Sequence, residues 1–312
     1  MRFRNATLFV VLAVAWGSAF TAIKAGLDFF PPVLFAALRY DLAGVLVLCY
    51  AAYATDRWRP RGGAEWLLVG VGGTLMIAAY HSFLFVGERG TTSAAAAVVV
   101  ALSPVLTTAF ARALLPDERL TAVGTLGLLV GFVGVGVLSD PDPTNLVNAR
   151  TVSLSLVLLA AASFALGSVL TRRIDADLPI ETMEAWSMLV GAVVMHGASL
   201  ALAESVADVR WSTEAGLALA YLVVVASAGG FLIYFDLLDR LGPIEINLVS
   251  YAAPVAAAVT GLLVLGEEPT ATTGIGFVLV LVGFVLVKRA ALRDELAGLR
   301  SEDGPRGHGG EE

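Results

Sequence analysis

Residues Leu241–Glu268 read LGPIEINLVSYAAPVAAAVTGLLVLGEE. A short Gly-Pro loop opens the stretch, a long apolar helix with Pro254 near its middle follows, and an acidic loop closes it. Shifting back by 150 residues, from Pro254 to Pro104, brings up the same order again. Pro104-Val105 stands for Pro254-Val255, Leu115 for Leu265, Asp117-Glu118 for Glu267-Glu268, and Gly124 for Gly274. The pentapeptide LVGFV occurs at 129–133 and at 281–285. One such match means little, because Gly and Pro are frequent in membrane helices. An ordered series of matches argues for an internal duplication. A proline inside a membrane helix frees a backbone carbonyl and bends the rod. Pro104 and Pro254 are therefore the candidate kink and gating positions, and two bent rods at equivalent places point to a site between the halves.

Composition fits that reading. Of 312 residues, 57% are hydrophobic and only 15% are charged, far below the quarter usual for a soluble domain. The mean hydropathy is +0.81. The single Cys49 excludes an internal disulfide and a paired-thiol metal site. The net charge of −7 and the lack of a basic patch argue against nucleic acid as a partner.

Apolar runs long enough to cross a bilayer fall at about 6–27, 32–54, 65–87, 91–111, 121–138, 152–171, 181–203, 215–236, 244–265 and 271–287. Ala13-Val14-Ala15 resembles a signal-peptide cleavage site, but the apolar run continues well beyond it. Of the Lys and Arg residues in the loops and tails, fifteen fall on one side, and only Arg89, Arg150 and Arg210 on the other. The positive-inside rule then makes this a multi-pass plasma-membrane protein with both termini cytoplasmic. The polar, proline-bearing stretch 139–150 (SDPDPTNLVNAR) reads as an external linker. The expected fold is all-α and polytopic: ten transmembrane helices in two five-helix repeats, residues 1–138 and 151–288. An odd number of spans per repeat inverts the second relative to the first. Residues 289–312 form a cytoplasmic tail, with 301–312 expected to be disordered.

Several residues then resemble the EamA-type repeats of the drug/metabolite transporter superfamily. In the first repeat they are Trp16-Gly17-Ser18, Lys24, Pro31-Pro32, Arg39, Gly90, Pro104 and Glu118. In the second they are Gly167, Arg172, Pro179, Gly242, Pro254 and Glu268. The resemblance implies a ten-helix transporter with a central cavity, carrying small organic substrates such as amino acids, often outward. The sequence departs from the pattern where Ser187 stands opposite Arg39 and Phe164-Ala165 opposite Trp16-Gly17. No Asp or Glu lies between Ala6 and Leu27, whereas related small multidrug exporters use a carboxylate there for proton exchange.

Ionisable groups inside spans are functional candidates. His81 is suited to proton relay or carboxylate binding, or equally to packing against a carbonyl, and Tyr80 adjoins it. His196 reads as structural. Arg39 reads first as an anchor needing a partner such as Asp28, Glu88 or a backbone carbonyl, and Asp41 faces elsewhere. Lys24 can snorkel to the interface. Asn247, Tyr251 and Pro254 share one helix face, as do Ser227, Phe231 and Tyr234, and Trp16, Phe20 and Ile23. The expected substrate-binding set is Trp16, Phe20, Tyr80, His81, Ser227, Phe231, Tyr234, Asn247 and Tyr251. Small residues such as Gly124, Gly127 and Gly131 read as helix-packing positions. No phosphate-binding loop or metal motif is present, so no cofactor or metal is expected. The competing class is a membrane enzyme acting on a lipid-linked substrate, with Ser82, His81 and Asp236 the residues to watch. The expected partners are a small-molecule substrate and the lipid bilayer, with the protein a monomer or homodimer.

Overall fold

The computed structural model describes residues 2–115, 122–139, 148–241, 246 and 248–302, with side chains for residues 3–289. The expected disordered end beyond 302, most of the linker, the 117–118 acidic pair, Gly242, Glu245 and Asn247 lie outside the described residues. Among the described residues, ten helices longer than one turn follow in order. They are α1 (Arg2–Gly26), α2 (Pro32–Ala54), α3 (Gly63–Glu88), α4 (Ser93–Leu114), α5 (Ala122–Ser139), α6 (Ala149–Thr171), α7 (Ile180–Ala201), α8 (Thr213–Leu241), α9 (Val249–Leu265) and α10 (Ala271–Glu302). Eight of these are both long and apolar enough to cross a membrane; α9 is shorter, and α7 carries Glu181 and Glu184. A belt of exposed Leu and Val, including Leu46, Val193, Val224, Leu263 and Val282, covers the outside. Such a surface suits hydrocarbon rather than water.

The largest helix pairings are symmetric between the halves. α5 packs on α10 and α2 on α7, each helix against its repeat equivalent. α1 packs along α9, and its equivalent α6 packs along α4. α3 rests on α6 as α8 rests on α1. Each repeat thus completes the other rather than folding beside it. Contacts also sort the helix ends. At one face, Arg57 bonds Asp177 and Glu65, and Arg4 and Arg240 both meet Asp236. At the other, arginine-poor face, Arg210 bonds the main chain at Asp28 and Phe29.

The prolines do not act alike. α4 is interrupted at Ala101–Leu102, just ahead of Pro104. Pro104 has no N–H for the Val100 carbonyl. The Ser103 hydroxyl donates to that carbonyl instead, at 2.6 Å. Pro254 lies within a continuous helical stretch, Val249–Thr260. Regularity is also lost where no proline stands. α3 widens into a π turn over Gly72–Ala79 and α8 over Tyr221–Gly229. These two π turns lie at equivalent places in the repeats, a further trace of the duplication; a third, over Gly261–Leu265, ends α9 without a counterpart in α4. π turns occur frequently at functional sites.

The α5–α10 seam is built on glycine. A Cβ at Gly127 would sit 2.6 Å from the Gly283 carbonyl oxygen, and one at Gly134 2.9 Å from that of Gly276. The backbones touch there, so the glycines are packing residues. We expect Gly127→Ala to lower the thermal unfolding midpoint in detergent by several degrees, a cost of about 1–3 kcal/mol for overpacking. Gly136→Ala, where nothing lies within 4 Å, should leave it unchanged.

Candidate functional site

The π turn of α8 is where three helices meet. Trp16 of α1 donates its indole N–H to the Ala226 carbonyl at 3.1 Å. Arg39 of α2 donates Nε–H to Ser227 Oγ at 3.0 Å. Ser18 of α1 lies 2.5 Å from the Tyr221 hydroxyl. Past the turn, the Trp16 indole packs on Tyr234 at 5.5 Å and edge-on to Phe231 at 6.1 Å. Gly230 makes room for it, since a Cβ there would lie 2.7 Å from Trp16 Nε1.

A second group adjoins the first through Arg39 and Tyr40. The Tyr40 hydroxyl is 2.7 Å from His81 Nε2, and His81 Nδ1 is 2.9 Å from the Ile77 carbonyl. A carbonyl only accepts, so Nδ1 carries a hydrogen; in the neutral ring Nε2 then accepts from Tyr40. Ile77 belongs to the π turn of α3. Tyr80 stands edge-on to His81 and meets Phe164 of α6 at 5.5 Å. Arg39 is stacked 5.1 Å from the Tyr40 ring centre. The chain Ser227–Arg39–Tyr40–His81 therefore joins the second repeat to the first through buried polar groups.

The structure brings six of the expected substrate-binding residues into these groups: Trp16, Phe231, Tyr234 and Ser227 around α8, and Tyr80 and His81 on α3; Phe20 is buried on α1. The Tyr251 ring packs on Phe284 of α10 at 4.4 Å, and its buried hydroxyl has no partner among the described residues. Asn247 lies outside the described residues. Arg39 takes none of its expected partners; the α8 turn carries Ser227 to it instead. Tyr40 was missed, since no spacing rule links residue 40 to residue 81. His196 pairs with Asp41 at 2.7 Å across the α2–α7 interface. The Ser82–His81–Asp236 set is not assembled. Asp236 binds Arg4 and Arg240, and His81 binds Tyr40 and Ile77.

The arginine-poor face is closed by ties to helix ends. Lys24 does not snorkel; its ammonium donates to the carbonyls of Glu88, Arg89 and Thr91, each at 2.9 Å. These carbonyls lie at the α3 end and its loop, where a cation suits the helix dipole. Glu267 accepts from the Ser93 N–H at 2.9 Å, at the start of α4. Glu204 accepts from Val33 and Leu34 N–H at 3.1 and 2.8 Å, at the start of α2. Both carboxylates come from the second repeat and cap helices of the first. Glu88 is fully buried beside them, and neither of its carboxylate oxygens has a hydrogen-bond partner among the described residues.

This architecture matches known proteins. The EamA-like transporter family profile fits residues 4–140 and again 151–289. The chain belongs to the EamA-like transporter family. It is 28% identical to a probable amino-acid metabolite efflux pump of Escherichia coli K12, over 91% of this chain and 94% of that protein. It is 29% identical to an inner membrane transporter of the same organism, covering 92% of each. A transporter of Archaeoglobus fulgidus is 28% identical over 90% of this chain and 98% of its own length. One solved crystal structure shares the fold, with a TM-score of 0.64, 23% identity, and 92% and 98% of the two chains covered. This EamA protein is thus a multi-pass membrane protein built from two copies of the family's unit.

Because the Lys24 tie uses three donors, its loss should loosen this end. In a Cys49→Ala background, Thr91→Cys should react several-fold faster with a maleimide once Lys24→Met is added. An unchanged rate would show that the lysine does not hold the face shut.

Proposed function

We propose that the protein is a secondary transporter that moves a small organic metabolite, an amino acid or a similar compound, outward across the cytoplasmic membrane. Transport proceeds by alternating access, with the substrate held between the two repeats. The observation that carries this reading is the buried polar chain from Ser227 through Arg39 and Tyr40 to His81. Polar groups inside a membrane protein are costly and mark the path of a substrate or ion. This chain runs across the junction of the repeats, where transporters of duplicated architecture keep their sites. The relative named as an amino-acid metabolite efflux pump supports the substrate class and the direction.

The aromatic group of Trp16, Phe231 and Tyr234 supplies an apolar wall beside the polar chain, the mixture a small-molecule pocket needs. The interrupted α4 and the proline-bearing α9 are the elements that bend during transport, with Pro104 and Pro254 the candidate pivots. The ties at the arginine-poor face form the gate closed in this conformation. By the distribution of Lys and Arg that face is external, both termini are cytoplasmic, and the units divide at the 139–150 linker.

In reconstituted vesicles, His81→Ala should lower amino-acid flux about tenfold, as loss of a buried hydrogen-bonded group costs about 1–3 kcal/mol. Tyr251→Ala should lower it too, with membrane insertion normal for both. Wild-type flux in both variants would remove these residues from the transport path.

A further inference from the structure

We propose that Arg39 is the carboxylate-binding group of the transport site, so that the transported metabolites are acids or zwitterions. This rests on the transport reading above. Arg39 is 6% exposed. Among the described residues, the structure gives an acceptor to its Nε alone, Ser227 Oγ, and Arg39 forms no ion pair. The remaining four N–H donors of the guanidinium fork have no described acceptor. Other arginines behave differently: Arg4, Arg57 and Arg240, near the surface, each hold a carboxylate. Asp41, the acidic side chain nearest in sequence, is turned away to His196.

A scaffold role does not explain the charge. The duplicated position on α7 is Ser187, which is 1% exposed and directed at the Val69 carbonyl. A small hydroxyl side chain fills the same place in the second repeat. The cation therefore belongs to one repeat only, as expected of a ligand-binding group and not of a packing element shared by both halves. A buried guanidinium without a hydrogen-bonded carboxylate is costly unless an anion visits it. Its planar fork matches a carboxylate through two parallel hydrogen bonds. The groups around it are suited to such a guest. The Ser227 hydroxyl accepts from Nε and lies within hydrogen-bond reach of Tyr40. The Tyr40 ring holds the guanidinium from one side, and Tyr40 Oη is fixed by His81. Arg39 lies seven residues into α2 from Pro32, about 10 Å along the axis and well inside the span.

The test uses purified full-length protein and matched pairs of solutes, leucine against isopentylamine and phenylalanine against phenethylamine. Each pair shares a side chain and an amine and differs in the carboxylate. Thermal stabilisation in detergent and counterflow in proteoliposomes are measured for wild type, Arg39→Lys, Arg39→Gln and Ser227→Ala. The acids are expected to stabilise wild type and to exchange, and the amines to bind at least tenfold more weakly. Arg39→Gln should lose the preference for the acid, and Arg39→Lys should retain part of it. Inorganic phosphate is included, and stabilisation by phosphate without stabilisation by the acids would overturn the carboxylate assignment. Exchange of the amines in preference to the acids by wild type would overturn it while leaving the transport reading intact. Exchange of none of the four solutes, with no stabilisation by the acids, would count against both. Should Arg39→Gln fail to fold, the wild-type ratio of acid to amine and the Arg39→Lys variant decide the matter. A ratio near one in wild type sinks the assignment.

Discussion

Hydrocarbon offers no hydrogen bonds, and the architecture follows from that single shortage. Every main-chain N–H and C=O inside the bilayer has to be answered by the protein. Ten helices answer most of them internally. The informative places are those where the helical ladder is interrupted, because there the answer comes from elsewhere. At Pro104 the Ser103 hydroxyl steps in for a missing donor. Where the α8 ladder widens, the Ala226 carbonyl takes the Trp16 indole. In α3 the Ile77 carbonyl takes His81. Irregular backbone and unusual side chains thus occur together because each makes the other tolerable.

The same logic explains why the candidate site lies where it does. The widened turns of α3 and α8 occupy matching positions in the two repeats, and both offer carbonyls to side chains of polar character. Duplication supplied the backbone irregularity twice, and divergence then loaded the two copies differently. One received the histidine and its tyrosine neighbours. The other received a serine that receives an arginine from α2. Two halves of common origin have become a pair with unlike chemistry at their junction.

Much of the fold was legible before any coordinates. The hydropathy blocks, the 150-residue echo and the uneven arginines together describe ten spans and two units, since each depends only on local composition. The glycine seam was readable as packing for the same reason. Pairings across the repeats were not readable. Helical periodicity shows which residues share a face, but it carries no information on what that face meets. Hence Tyr251, correctly grouped on one face with Pro254, turned out to pack on Phe284 of α10. The π turns were also invisible. Gly72, Gly73, Gly229 and Gly230 stand at their ends, yet glycine is too common in membrane helices to single out a widened turn. Arg39 marked itself by its charge, but its contact with Ser227 depends on the rotation of α8, which local sequence does not specify.

The cross-repeat ties at the arginine-poor face have an evolutionary consequence. Glu204 and Glu267 hold main-chain N–H groups of Val33, Leu34 and Ser93, and Lys24 holds three carbonyls. A backbone group cannot be mutated away, short of proline at an N–H. Only one member of each tie is therefore heritable as a side chain. The ties themselves therefore set no side chain at the docking positions, while the three charged residues stay fixed. Lineages should diverge at exposed Arg89 while keeping the same closure, buried Val33, Leu34 and Ser93 answer to packing alone, and covariation between the two sides of these contacts should be absent even though they touch.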